Sequence, residues 1–168
     1  VPFLFLSGTS GGGGLFNAYA YLRDEKPSGT VGGNASAAAW QTRTLNTEVF
    51  DPNSIVALAA NQFTLQAGTY YVIGRAPGLF VDKMRTRLRN ITAGSTAGLG
   101  SDSFANSGAG GSGNDSWVHA RVTIAGATVY ELQHYTQNAP GFGVDLGTPT
   151  TTGDVEVYSE VWIYREAV

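Results

Sequence analysis

The chain has 168 residues, 42% of them hydrophobic, which is enough for one folded domain with a real core and excludes disorder throughout. Cysteine is absent, which excludes disulfide staples and thiolate metal sites, and no apolar run approaches the ~20 residues of a membrane-spanning helix. Net charge is −3 and 14% of residues are charged, which argues against nucleic acid as a partner and fits a surface partly covered by partner subunits.

Val1, Pro2, Phe3, Leu4, Phe5 and Leu6 form an apolar hexapeptide, and Ser7 to Gly14 is a flexible Gly/Ser tether. Residues 1–14 are therefore expected to anchor the chain on another protein or on copies of itself; an ordinary first strand and loop is the alternative. The hexapeptide is too short for a signal peptide and lacks a basic residue before it. Val1 is small enough to follow a removed initiator Met, so the chain is expected to start here.

From Leu15 to Glu25, Phe16, Ala18, Ala20 and Leu22 alternate with Asn17, Tyr19, Tyr21 and Arg23, the period of a strand. Ala35 to Ala39 is too short for an independent helix. Trp40 to Phe50 reads as one strand, with Leu45, Thr47 and Val49 opposite Thr42, Thr44 and Asn46, and Ile55 to Leu58 as a short one. Residues 61–77 read as the organising hairpin: Phe63 and Leu65 alternate with polar residues, Gly68 supplies a turn, and Thr69 to Ile73 resumes with β-formers. Pro77 predicts an interruption after Ile73.

Val81 to Thr92 places Lys83, Arg85, Arg87 and Arg89 on one face and Met84 and Leu88 on the other. This stripe is a solvated face, or it pairs with carboxylates across a subunit interface, where Arg85 and Arg87 would make bidentate contacts. Ser101 to Asp115 is rich in Gly, Ser and Asn and reads as a long loop. Strands follow at Trp117 to Ala125, Thr128 to Gln137 and Asp154 to Glu166, with loops at 138–153 around a short segment from Phe142 to Leu146. In the last strand Val155, Val157, Val161 and Ile163 oppose Tyr158, Trp162 and Tyr164, so both faces are expected to be covered, one of them by a neighbouring subunit. The pattern is nine or ten short antiparallel strands at a spacing near ten residues, that of a single all-β sandwich or jelly roll over residues 15–168.

The stretches Ala20–Thr30, Trp40–Thr47, Asn61–Tyr70, Tyr130–His134, Gly141–Gly143 and Glu156–Ile163 resemble a C1q/TNF-like module of tailed-bacteriophage fibre and virion surface proteins. That resemblance implies a jelly-roll homotrimer on the surface of a phage particle, with the major capsid protein or another virion protein as partner. The long shaft of a tail fibre is missing, which favours a capsid decoration (cement) protein or short head fibre over a full-length tail fibre. The alternative is a receptor-binding tail-fibre tip whose loops, with Asp102, Phe104, Asn114 and Phe142, recognise a host surface glycan.

No catalytic constellation stands out, and the chain is expected to be non-enzymatic, without cofactor or metal. His119 and His134 are the two histidines, expected in neighbouring strands of a hairpin. With Glu131 they suggest a metal pair or an acid–base couple, but alternation sends Glu131 and His134 to opposite faces, and surface or interface histidines are the simpler expectation. Asp102, Asp115, Asp145 and Asp154 lack the dense spacing of a calcium loop.

Overall fold

A computed structural model describes residues 14–167. The expected anchor at 1–6 and most of its tether lie outside the described residues. Eleven strands run in chain order: β1 (Phe16–Lys26), β2 (Ala39–Thr42), β3 (Thr47–Phe50), β4 (Val56–Ala59), β5 (Gln62–Leu65), β6 (Gly68–Leu79), β7 (Asp82–Asn90), β8 (Ser95–Ala105), β9 (Gly113–Ile124), β10 (Thr128–Thr136) and β11 (Glu156–Glu166). They build two antiparallel five-stranded sheets, ordered β3-β1-β11-β6-β9 and β4-β5-β10-β7-β8. β2 lies beside β10, where the Ala38 and Arg43 amides donate to the Thr136 and Leu132 carbonyls, each at 2.8 Å. The all-β jelly-roll sandwich expected from the sequence is the fold.

Alternation explains the core. Ala20 and Leu22 of β1, Phe63 and Leu65 of β5, Tyr70 and Val72 of β6, Leu132 of β10, and Val161 and Ile163 of β11 all point between the sheets and are buried. β8 and β9 belong to different sheets and approach closely at one edge. There a Cβ on Gly98 would lie 2.5 Å from Ala120 Cβ, and one on Gly100 would overlap the Trp117 carbonyl. Residues without a Cβ let the two sheets meet there.

Several strand assignments change. The stretch at 61–77 is not a hairpin: β5 joins the second sheet and β6 the first, so the chain crosses the sandwich at Ala67. The two-residue hairpin lies one strand earlier, between β4 and β5, where Ala60 and Asn61 take φ of 50° and 64°. That is the positive-φ pair of a primed turn, and it uses no glycine. β6 runs through Pro77 without a break, because its ladder with β9 extends from Gly68–Ile124 to Leu79–Gly113. Proline is tolerated there because the β11 ladder on the other side ends at Arg75. The expected loop at 101–115 shrinks to 106–112, with both flanks absorbed into β8 and β9. The expected strand at 40–50 splits into β2 and β3.

Two bulges redirect aromatic rings. In β11, Arg23 opposes Glu160 while Glu25 opposes Val157, so three steps on β11 match two on β1. The extra residue reverses the alternation, and both Tyr158 and Ser159 face inward. Tyr158 is buried and its hydroxyl donates to the Thr30 carbonyl at 2.6 Å. Its expected place beside Trp162 and Tyr164 at a subunit interface is therefore corrected. A register shift between Phe16 and Ala18 turns Phe16 outward, away from the inner face on which alternation put it.

Candidate functional site

The outer face of the first sheet carries the molecule's main concentration of aromatic side chains. Residues opposite one another in the ladder form rows. One row runs Tyr21, Trp162, Ile73, His119; the next runs Tyr19, Tyr164, Tyr71, Arg121. The rings touch along and between the rows. Tyr19 stacks on Tyr164 at 5.1 Å and Tyr21 on Trp162 at 5.4 Å, while Trp117 stacks on the other side of Trp162 at 5.9 Å. Phe50 and Phe16 extend the surface, with centroids 5.4 Å from Tyr19 and 5.2 Å from Tyr164. Phe50 is 48% exposed and Trp117 38%. A shallow depression of about 320 Å³ opens among Ile73, Trp117, His119, Trp162 and Tyr164.

Charges frame this face. Arg75 bridges Asp115 at 2.9 Å and Glu160 at 2.6 Å, and Arg121 holds Glu166 at 2.6 Å. Tyr21 donates to Glu160; burial first, and that bond second, push its phenol up to about 12. The Tyr71 hydroxyl and His119 Nδ1 lie 3.0 Å apart. Such a face is built for adhesion: contiguous exposed apolar area of this kind marks an interaction surface.

Arg85 and Arg87, the other pair expected at a subunit interface, stand on the outer face of the second sheet, on the opposite side of the sandwich from Trp162 and Tyr164. Both are engaged within the chain. Arg85 pairs with Asp102 at 2.5 Å. Arg87 donates to Gln133 at 2.6 Å and lies 4.1 Å from the Trp40 ring centroid. Their described partners are thus local, and they stand apart from Trp162 and Tyr164, with which the sequence grouped them at one interface. The residues assigned to ligand loops are also redistributed. Asp102 and Phe104 lie on β8, and Asn114 lies on β9, bonded to the Phe104 carbonyl at 3.3 Å. Only Phe142 sits in a loop, 68% exposed and edge-on to Phe80.

The interior holds a polar cluster that sequence reading missed. Arg43, in the break between β2 and β3, is fully buried. It donates to the carbonyls of Pro77 at 3.0 Å and Leu146 at 2.8 Å, and lies 3.3 Å from His134 Nδ1. Burial lowers its guanidinium to about 10. Burial, with the Arg43 charge second, lowers His134 to about 3, so its imidazole is neutral. Arg43 shares strand parity with Leu45, the one sequence signal that it points inward. His119 and His134 are not on neighbouring strands: β9 and β10 lie in different sheets, one histidine outside and the other within. Asp145 and Glu156 tie down loops. Asp145 accepts from the Ala35 and Gly141 amides at 3.1 Å, and Glu156 from Gly29 and Thr151 at 3.0 Å. The Gly29 amide first, then that of Thr150 at 2.9 Å, with Thr151 adding to them, hold the Glu156 carboxyl down to about 2. Among the described residues no three His, Cys, Asp or Glu side chains form a metal-holding group.

This architecture is the jelly roll of the TNF/C1q type. PRD1 vertex protein P5 superposes with a TM-score of 0.58 at 12% identity, covering 92% of this chain and 100% of that one. The globular domain of zebrafish complement 1qA gives 0.55 at 16% identity, covering 89% and 96%. Murine APRIL at pH 5.0 gives 0.58 at 7% identity, covering 88% and 98%. At these identities the likeness is one of fold. No protein-family model matches the chain, and no curated protein matches it by sequence.

Proposed function

We propose that this protein is a non-enzymatic structural component of a bacteriophage virion, a homotrimeric jelly roll displayed on the particle surface as a capsid decoration protein or short head fibre. The observation that carries self-association is the aromatic face of the first sheet. Its rings are packed against each other and open to solvent, and a second copy of the chain is the partner that would bury them. Trp162, Tyr164 and Tyr71 at its centre are the anchors. The Arg75–Glu160–Asp115 and Arg121–Glu166 groups are its polar rim. The virion setting draws on the fold likeness to the phage vertex protein P5 and on the resemblance of the short stretches named above to phage surface proteins. Residues 1–14 would tie the trimer to the major capsid protein or another virion protein.

Three experiments test the reading separately. Sedimentation of the full chain should give three times its 17.6 kDa mass; a monomer at micromolar concentration overturns self-association. Electron cryomicroscopy of particles carrying the labelled chain should place density on the head. Deletion of residues 1–14 should abolish incorporation while leaving the trimer intact, and unchanged incorporation would remove the anchor role.

A further inference from the structure

The outer face of the second sheet carries a concave site that the trimer reading does not use. One row crosses four strands: Trp40 of β2, Tyr135 of β10, Arg85 of β7 and Asp102 of β8. Tyr135 is paired with Arg85 and Arg85 with Asp102, and the Trp40 and Tyr135 rings lie 5.7 Å apart, tilted at 59°. Lys83, two residues from Arg85 on the same face, completes the rim of a cavity of about 340 Å³ floored by Met84. That volume lies within the usual range of small-ligand sites, roughly 300–1,000 Å³.

Each part of this cavity has a chemical preference. The two aromatic rings offer flat apolar surface. Trp40 is held in place from one side by Arg87, which Gln133 in turn fixes, so the indole is oriented before any ligand arrives. Lys83 is exposed and has no ion pair among the described residues. Among the described residues the guanidinium of Arg85 bonds Asp102 alone, and that carboxylate is 77% exposed, so the pair is solvent-screened and open to competition. Asp102 can also accept from hydroxyl groups. The β7 stripe gathers Lys83, Arg85, Arg87 and Arg89, four of the chain's ten basic residues, on the face of a protein with net charge −3.

We propose that this cavity binds a carboxylated pyranose, a uronic or sialic acid unit of a surface polysaccharide. The C–H face of the sugar stacks on Trp40 and Tyr135. Its carboxylate takes Lys83 and Arg85, and its hydroxyls donate to Asp102. The site lies on the opposite side of the sandwich from the aromatic face, so it stays open when that face is covered, and it does not depend on the virion reading.

The test is titration of the full chain by saturation-transfer NMR and calorimetry. Trigalacturonate and 3′-sialyllactose serve as the carboxylated probes, with lactose and inorganic phosphate as controls. One carboxylated probe should bind, with affinity falling as salt rises, and which one binds identifies the source of the acid. Lys83→Glu changes an exposed side chain that supports no described contact. It should weaken binding by roughly tenfold or more, the scale of one charge-assisted hydrogen bond. Phe142→Ala, outside the cavity, should bind as the parent does. Failure of both carboxylated probes, equal binding of lactose or of phosphate, or equal affinity in Lys83→Glu would each overturn the proposal.

Discussion

The two outer faces of the sandwich obey the same alternation rule and end with opposite chemistry. On the first sheet, β1, β6, β9 and β11 point Tyr19, Tyr71, Trp117 and Tyr164 outward, and the rings find each other across strands. On the second, β7 points Lys83, Arg85, Arg87 and Arg89 outward, and each described contact is local: an acid, an amide, a hydroxyl or a single indole. A face of solvated charges can stay in water without a protein partner. A face of stacked, half-exposed rings needs one, since apolar area left in water is costly at ~25 cal/mol per Å². On the proposals made above, assembly uses one side and small-ligand chemistry the other.

The sharpest way to break that division is a charge in the aromatic face. On the proposed assembly, Trp162→Glu should leave the chain monomeric at micromolar concentration where the parent is trimeric, with a loss of more than about 2 kcal/mol per contact, as for an interface anchor. The fold should survive, because Trp162 lies outside the core; sedimentation and circular dichroism would check both. Loss of the fold along with the trimer would contradict the placement of this side chain.

Acid probes the interior that both faces share. The His134 imidazole is lowered from 6.5 to about 3 in the folded chain, so below pH 6.5 the unfolded chain takes up a proton that the folded chain refuses. This contribution to stability is complete above pH 6.5 and is lost progressively as pH falls toward 3. Glu156, lowered from 4.5 to about 2, adds a second loss between those values. Urea unfolding at pH 7, 6 and 5 should show falling midpoints, and His134→Gln should flatten that slope while leaving the change below 4.5 in place.

A smaller effect is expected on the cationic face. Arg87→Ala should cost about 1–2 kcal/mol of stability through the lost indole and Gln133 contacts, and should leave the oligomeric state unchanged. A shift to monomer would mean that this face also holds subunits together. The smallest effect is Asp102→Asn, which removes a solvent-screened ion pair and should change stability by less than ~1 kcal/mol in thermal unfolding.

Most strand centres with their inward and outward faces, and the all-β jelly-roll class, were legible in the sequence, because a side-chain period of two is a local property of the backbone. Phe63, Leu65, Met84 and Leu88 point where alternation sends them. The aromatic face was half legible. Trp162 and Tyr164 follow from alternation in one strand, but the contribution of Tyr19, Tyr71 and Trp117 depends on which strands become neighbours. That choice is made by long-range packing: β1 and β11, about 140 residues apart in register at Tyr21 and Trp162, pair directly, whereas β5 and β6, separated by two residues, part into different sheets. The bulge that buries Tyr158 and the burial of Arg43 also belong to the tertiary level. One extra residue in a ladder reverses every face beyond it, and a buried guanidinium is tolerated only where carbonyls from distant loops converge on it. The sequence by itself thus determined the period and composition of the strands, and the tertiary structure alone decided which of their faces would meet.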